Sequence, residues 1–116
     1  MTYRIAVASS DGKVVNCHFG RATQFLIFDY VTIENRMILF ETRENNPGCI
    51  NLIAPNGTME DTIKLISDCH YVLVSMIGPS MVENLQERGI TALIIKNFIP
   101  EALEEWKHLQ HDARNQ

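Results

Sequence analysis

The 116-residue chain has no Cys-x-x-Cys pair, no glycine-rich phosphate loop and no long apolar run. Its cysteines, Cys17, Cys49 and Cys69, are odd in number and widely spaced, which argues against a zinc ribbon or a thioredoxin-type redox pair. In a reducing cytosol they stay thiols. Neither G-x-x-x-x-G-K-[ST] nor G-x-G-x-x-G occurs, so a phosphate-binding reading has no basis. Ser75 and Ser80 sit in no nucleophile elbow, and hydrolase chemistry is unsupported. Apolar runs stay far below the roughly 20 residues that span a bilayer. Arg4 precedes only the short stretch Ile5 to Ala8, too brief for a signal-peptide core, so a cytoplasmic location and no membrane partner are expected. Ten basic against fourteen acidic residues give a net charge of −4, without the basic footprint of a nucleic-acid binder. Six glycines and four prolines are too few for a collagen-like or linker chain.

What is present suits one compact domain over residues 1–116. Apolar residues make up 46% of the chain, and Ile and Val together number 20, which favours strands. Acids and bases balance at five each over residues 1–45, whereas residues 46–116 carry nine acids and five bases. A local cationic spot in the first half is therefore compatible with the net charge.

The pattern predicts strands at Tyr3–Ala8, Phe25–Val31 and Arg36–Thr42, with Glu34-Asn35 turning the last two into an antiparallel hairpin. Glu44 to Gly57 is dense in turn residues, and a loop that long in a small domain is commonly functional. Thr58 is expected to cap a helix, with Met59, Ile63 and Ile66 on one face. Tyr71–Ile77 reads as a strand buried on both faces. Gly78-Pro79-Ser80 turns into a second helix closed by Gly89, Thr91–Ile95 is a short strand, and Pro100 opens a last helix whose end, 109–116, is expected to fray.

Strand–helix–strand crossovers need parallel pairing and the hairpin needs antiparallel pairing, so the sheet is mixed. Handedness and adjacency favour the order 3-2-1-4-5 with three helices, an α/β, ribonuclease H-like arrangement. Ligands of open α/β sheets bind at the carboxyl ends of the strands, at the switch point. Two segments meet there: the loop Ser9 to Gly20, and Met76-Ile77-Gly78-Pro79. A ribonuclease H-type nuclease would need several carboxylates at those strand ends, and neither central strand contains one.

That placement puts Cys17-His18-Phe19-Gly20-Arg21 beside a crevice. Thiol and imidazole are ligands that iron and copper centres accept. Neighbouring side chains on extended backbone point opposite ways, so Cys17 and His18 are not expected to reach one metal together. Gly20 can expose backbone N–H groups to an anion, and Arg21 adds fixed positive charge with several donors. The set suits an anionic metal–sulfur ligand better than a bare divalent cation. The bland alternative makes Phe19 a core plug, His18 a solvated loop residue and Cys17 a packed apolar residue. Cys49, after Asn46-Pro47-Gly48, is a candidate second thiolate on the long loop. Cys69 reads as a packed core thiol, and His70 shares its place at the far end of its strand. His108 and His111 read as a solvated helix face.

The elements Ile5-Ala6-Val7-Ala8, Val15-Asn16-Cys17-His18-Phe19-Gly20 and Phe25 to Asp29 resemble the NifX/NafY family and the matching C-terminal domain of NifB. Ser67-Asp68-Cys69, Ile77-Gly78-Pro79 and Gly89-Ile90 extend the resemblance over roughly residues 3–104. It departs at Cys17, where the family commonly has a polar residue. The resemblance implies a ribonuclease H-like fold and non-enzymatic binding and transfer of a metal–sulfur cluster or its precursor. The cargo would be an iron–sulfur, iron–molybdenum or molybdenum–copper sulfide cluster, exchanged between donor and acceptor cofactor-assembly proteins by a monomer or weak homodimer. Under that reading His18, Cys17 and Cys49 are the candidate ligands. Phe19, Gly20 and Arg21 lie along the cargo, and Met76 and Gly78 form the opposite wall. The competing expectation is an interaction or regulatory module of the same fold without a cofactor.

Overall fold

In the computed structural model, residues 1–45 and 55–114 are described. The strands are β1 (Thr2–Ala8), β2 (Gln24–Val31), β3 (Arg36–Glu44), β4 (Tyr71–Val74) and β5 (Thr91–Ile94), and the helices are α1 (Pro55–Leu65), α2 (Pro79–Glu87) and α3 (Ile99–Arg114). They form one mixed sheet of order β3-β2-β1-β4-β5, as expected. β1 and β2 pair antiparallel, β2 and β3 likewise, and β1–β4 and β4–β5 run parallel.

Alternation along the central strands decides which side each helix covers. Ala6, Ala8, Ile27, Val72 and Val74 point to one face, where Ile63 and Ile66 of the α1 region and Leu85 of α2 close a core. Ile5, Val7 and Leu73 point to the other, against Ala102, Leu103 and Trp106 of α3. Both faces of β4 are covered, which explains its continuous apolar run. Trp106 is fully buried, and the Tyr3, Tyr30 and Tyr71 rings stand edge-on around it at 5.3–5.7 Å.

Strand ends shift by a residue or two at β1, β2, β3 and β5, and three boundaries differ by more. α1 begins at Pro55 rather than at a Thr58 cap, because proline suits a first helical turn. β4 stops at Val74, three residues early, for a reason that lies in the site below. α3 continues to Arg114 through the segment expected to fray, and the Tyr71 hydroxyl donates to Gln110 Oε1 at 2.7 Å to hold that part of the helix to the sheet.

β3 is an exposed edge, and its pairing is broken by a bulge: Ile27 faces Glu41 while Phe28 faces Leu39. The extra residue, Phe40, lies under the Arg4 guanidinium at 4.2 Å from the ring centroid. A bulge and charged side chains protect an edge strand from pairing with other chains. At the amino ends of β1 and β4, Asp68 accepts two bonds from Arg43, at 2.7 and 2.9 Å, and one from Arg4 at 2.8 Å. Hydrogen bonds from Arg43 foremost, then Arg4, hold the Asp68 carboxyl well below the usual carboxylate range.

Two outcomes are expected. Trp106→Ala lowers unfolding free energy by about 3–5 kcal/mol in urea titration, since it opens a cavity in the α3-side core. The depressed Asp68 carboxyl contributes stability above the unfolded aspartate value of about 3.9, and that contribution is lost as pH falls toward its folded value. Melting temperature should therefore drop as pH is lowered below about 4, and Asp68→Asn should flatten that drop while lowering stability at neutral pH.

Candidate functional site

The site begins where β1 leaves the sheet. β1 and β4 pair as far as Val7 with Leu73. The chain then turns at Ser9 to Gly12, where Gly12 has φ +75° and its N–H donates to Ser9 Oγ at 3.0 Å. A glycine is needed there, because other L-residues are strained at that angle. Asp11 Oδ1 accepts the backbone N–H groups of Lys13 and Val14 at 2.9 and 3.2 Å, tightening the turn. Val15 donates to the Asn97 carbonyl at 2.9 Å, and Ile99 donates to the Lys13 carbonyl at 2.8 Å.

The loop then returns to β4. Ser75 N–H donates to the Cys17 carbonyl and Phe19 N–H to the Met76 carbonyl, both at 2.9 Å, and His18 and Met76 form a parallel bridge. Residues 17–19 thus take the place that β1 vacates. β4 ends early as a strand because its partner changes at that point, while its backbone stays paired.

Phe19–Arg21 then form a short 3-10 turn, with the Arg21 N–H donating to the His18 carbonyl at 3.0 Å. Phe19 is buried beside Ala6, Ala8 and Phe25, so it is the core plug of the bland alternative. His18 is exposed and lines a cleft of about 260 Å3 with Phe19, Gly20, Arg21, Met76, Ile77, Gly78 and Met81. Among the described residues no carboxylate lines it. Arg21 is exposed, and its guanidinium makes no ion pair among the described residues. Gly78 caps α2 without a side-chain hydrogen bond, so the positive end of the helix opens on the cleft.

The expected residues separate into groups. His18, Phe19, Gly20, Arg21, Met76 and Gly78 come together. Cys17 does not line the cleft: it is half-buried against the α1/α2-side core, as alternation along extended backbone requires. Burial, and secondarily the charge of Asp11, raise its thiol pKa, disfavouring the thiolate that a metal needs. Cys49 lies outside the described residues. Gly20 does not use its conformational freedom, since positive φ is confined among the described residues to Gly12, Asn35 and Gly89. Gly78 likewise has φ −74°, and a Cβ there would meet open space. Ile77 lies in the segment expected at the crevice, and Met81 was missed. Met81 follows the Gly78-Pro79 helix start by one turn, and that spacing is the signal that would have found it.

Cys69 is buried in the core, where burial pushes its thiol up to about 12. His70 is exposed at the opposite end of β4, its Nδ1 accepting the Arg4 N–H at 3.0 Å. His108 is exposed, and the His111 side chain lies outside the description. A larger groove of about 480 Å3 lies between β2, β3 and α3, lined by Leu26, Phe28, Met37 and Leu39 among others. Among its described lining residues there is no imidazole or thiol.

A family model described as dinitrogenase iron-molybdenum cofactor matches residues 1–109. The chain belongs to this family. It is 36% identical over 107 residues to the FeMo cofactor biosynthesis protein NifB of Frankia alni, covering 87% of this chain and 20% of that protein. It is 30% identical over 119 residues to NifB of Chlorobaculum tepidum, covering 95% of this chain and 26% of that protein. The chain thus spans only about a fifth to a quarter of those relatives. The apo orange protein of Desulfovibrio gigas superposes with a TM-score of 0.65 at 18% identity, covering 92% of this chain and 88% of the other. A Thermotoga protein of the DUF35 family gives 0.61 at 20% identity, covering 91% and 88%. These two likenesses concern the fold. Among the described residues no helix is long and apolar enough to cross a membrane.

In the folded protein at pH 8, iodoacetamide should leave Cys69 unmodified and label Cys17 more slowly than a free cysteine. Tryptic mass spectrometry before and after unfolding checks this. Rapid native labelling of Cys69 would contradict its burial.

Proposed function

We propose that this domain, ribonuclease H-like in its strand order, binds a metal–sulfur cluster or its precursor as cargo and hands it between cofactor-assembly proteins in the cytoplasm, without catalysing a reaction itself. The observation that carries this reading is the cleft itself. Among the described residues an exposed imidazole, a guanidinium without an ion pair and a helix end without a side-chain cap converge there, with no carboxylate in the lining. Metal–sulfur clusters are anionic when their sulfides outweigh their metal charge. Positive charge from Arg21 and the helix dipole offsets that, while the imidazole supplies an exchangeable ligand. Family membership supports a cargo of iron–sulfur or iron–molybdenum type.

Cys49 is the second ligand of this reading. Four residues before it, Asn45 is tied to the site: its N–H donates to the Thr23 carbonyl and its Nδ2 to the Ala22 carbonyl, both at 2.8 Å. Asn45 therefore lies close to the turn that carries His18 and Arg21, and four residues of chain span at most about 14 Å. A carrier works with few ligands, because cargo held by a closed set of four would not leave.

The test is anaerobic uptake of an iron–sulfide or thiomolybdate cluster, read by ultraviolet–visible absorbance and metal analysis after gel filtration. His18→Ala should cut retention by about ten-fold or more with little change in melting temperature. Cys49→Ser should weaken it, and Arg21→Ala should make it more sensitive to salt. A wild-type chain that stays colourless and metal-free favours the interaction module of the same fold instead.

A further inference from the structure

We infer that the same cleft binds a single copper(I) ion between the thioethers of Met76 and Met81 and the imidazole of His18. This goes beyond the cluster reading, because a bare ion requires neither sulfide nor an assembly partner.

The three side chains come from separate pieces of chain that the fold draws together. His18 and Met76 are partners in the parallel bridge, on neighbouring strands about 5 Å apart. Met81 stands on the first turn of α2, its N–H donating to the Gly78 carbonyl at 3.1 Å, and lines the cleft with the other two. A methionine is ordinarily a gap-filler of apolar cores. Met76 does not fit that role, being 45% exposed and in neither core cluster, while Met81 is partly buried against the α1/α2-side core and also faces the cleft. The ring nitrogens of His18 make no hydrogen bond among the described residues, so a lone pair is available.

Ligand chemistry then selects the ion. Two neutral thioethers and a neutral imidazole form a soft set, which Cu(I) prefers. Magnesium, calcium and manganese want oxygen ligands, and among the described residues the cleft lining has no carboxylate. Zinc sites are built on thiolate, imidazole and carboxylate ligands, and Cys17 is turned into the core. A neutral set also carries no charge to balance a divalent ion beside Arg21, whereas a monovalent ion is repelled half as strongly.

The test uses the full chain with Cys17→Ser and Cys49→Ser, so that accessible thiols do not compete. Anaerobic Cu(I) is titrated against a colorimetric Cu(I) chelator. One equivalent should bind, and Met76→Leu with Met81→Leu should weaken binding by about ten-fold or more, leucine being close in volume to methionine. A second measurement does not depend on the variants: with methyl-labelled methionine, Ag(I) as a Cu(I) mimic should move the signals of Met76 and Met81. Met1, Met37 and Met59 should stay in place. Equal affinity in the double variant, or unmoved signals for Met76 and Met81, overturns the site. Cluster uptake is measured alongside. A chain that takes Cu(I) but no cluster defeats the carrier reading alone, and one that takes cluster while its thioethers ignore copper and silver defeats this inference alone.

Discussion

Two backbone hydrogen bonds, Ser75 to Cys17 and Phe19 to Met76, hold the whole functional end of the molecule in place. Where β1 turns away after Ala8, β4 would be left with unpaired amides and carbonyls in a crowded interior, a costly state. The 17–19 segment satisfies them. In doing so it sets His18 beside Met76 and drives Phe19 into the core, and alternation then sends Cys17 to the core side. The position of the imidazole follows from backbone pairing, so the site needs no preformed metal to assemble.

The two ends of the parallel strands have opposite character. At the amino end, Arg4, Arg43, Asp29 and Asp68 form a closed network in which each charge has a partner, and the Arg4 stem also covers the bulge residue Phe40. At the carboxyl end, Arg21 has no ion pair among the described residues and the first turn of α2 has no side-chain cap. Charge is neutralised where the fold is stitched together and left available where a ligand arrives. This is the distribution expected when binding uses electrostatic potential that folding does not consume.

Family membership narrows the chemistry without deciding it, since the side chains around a cleft, not the fold, select what binds there. In this chain the cleft lining includes two thioethers, and nearby Asn45 is fastened to Ala22 and Thr23. Soft, neutral side chains and an exposed positive charge thus face the same cleft.

Much of this was legible in the residues alone. Period-two alternation in β1, the doubly buried run of β4 and the hairpin at Glu34-Asn35 determine the mixed sheet and its order, because buried strands must pair and crossovers have one hand. The His-Phe-Gly-Arg string and its meeting with Met76 and Gly78 follow from that order. Local signals did not show that β4 changes partner at Ser75 or that Gly20 sits in an ordinary 3-10 turn. Nor did they bring Met81 to the cleft. Each of these depends on which distant backbone group is left unpaired once the strands have met, and that is a property of the assembled sheet rather than of any short stretch of chain.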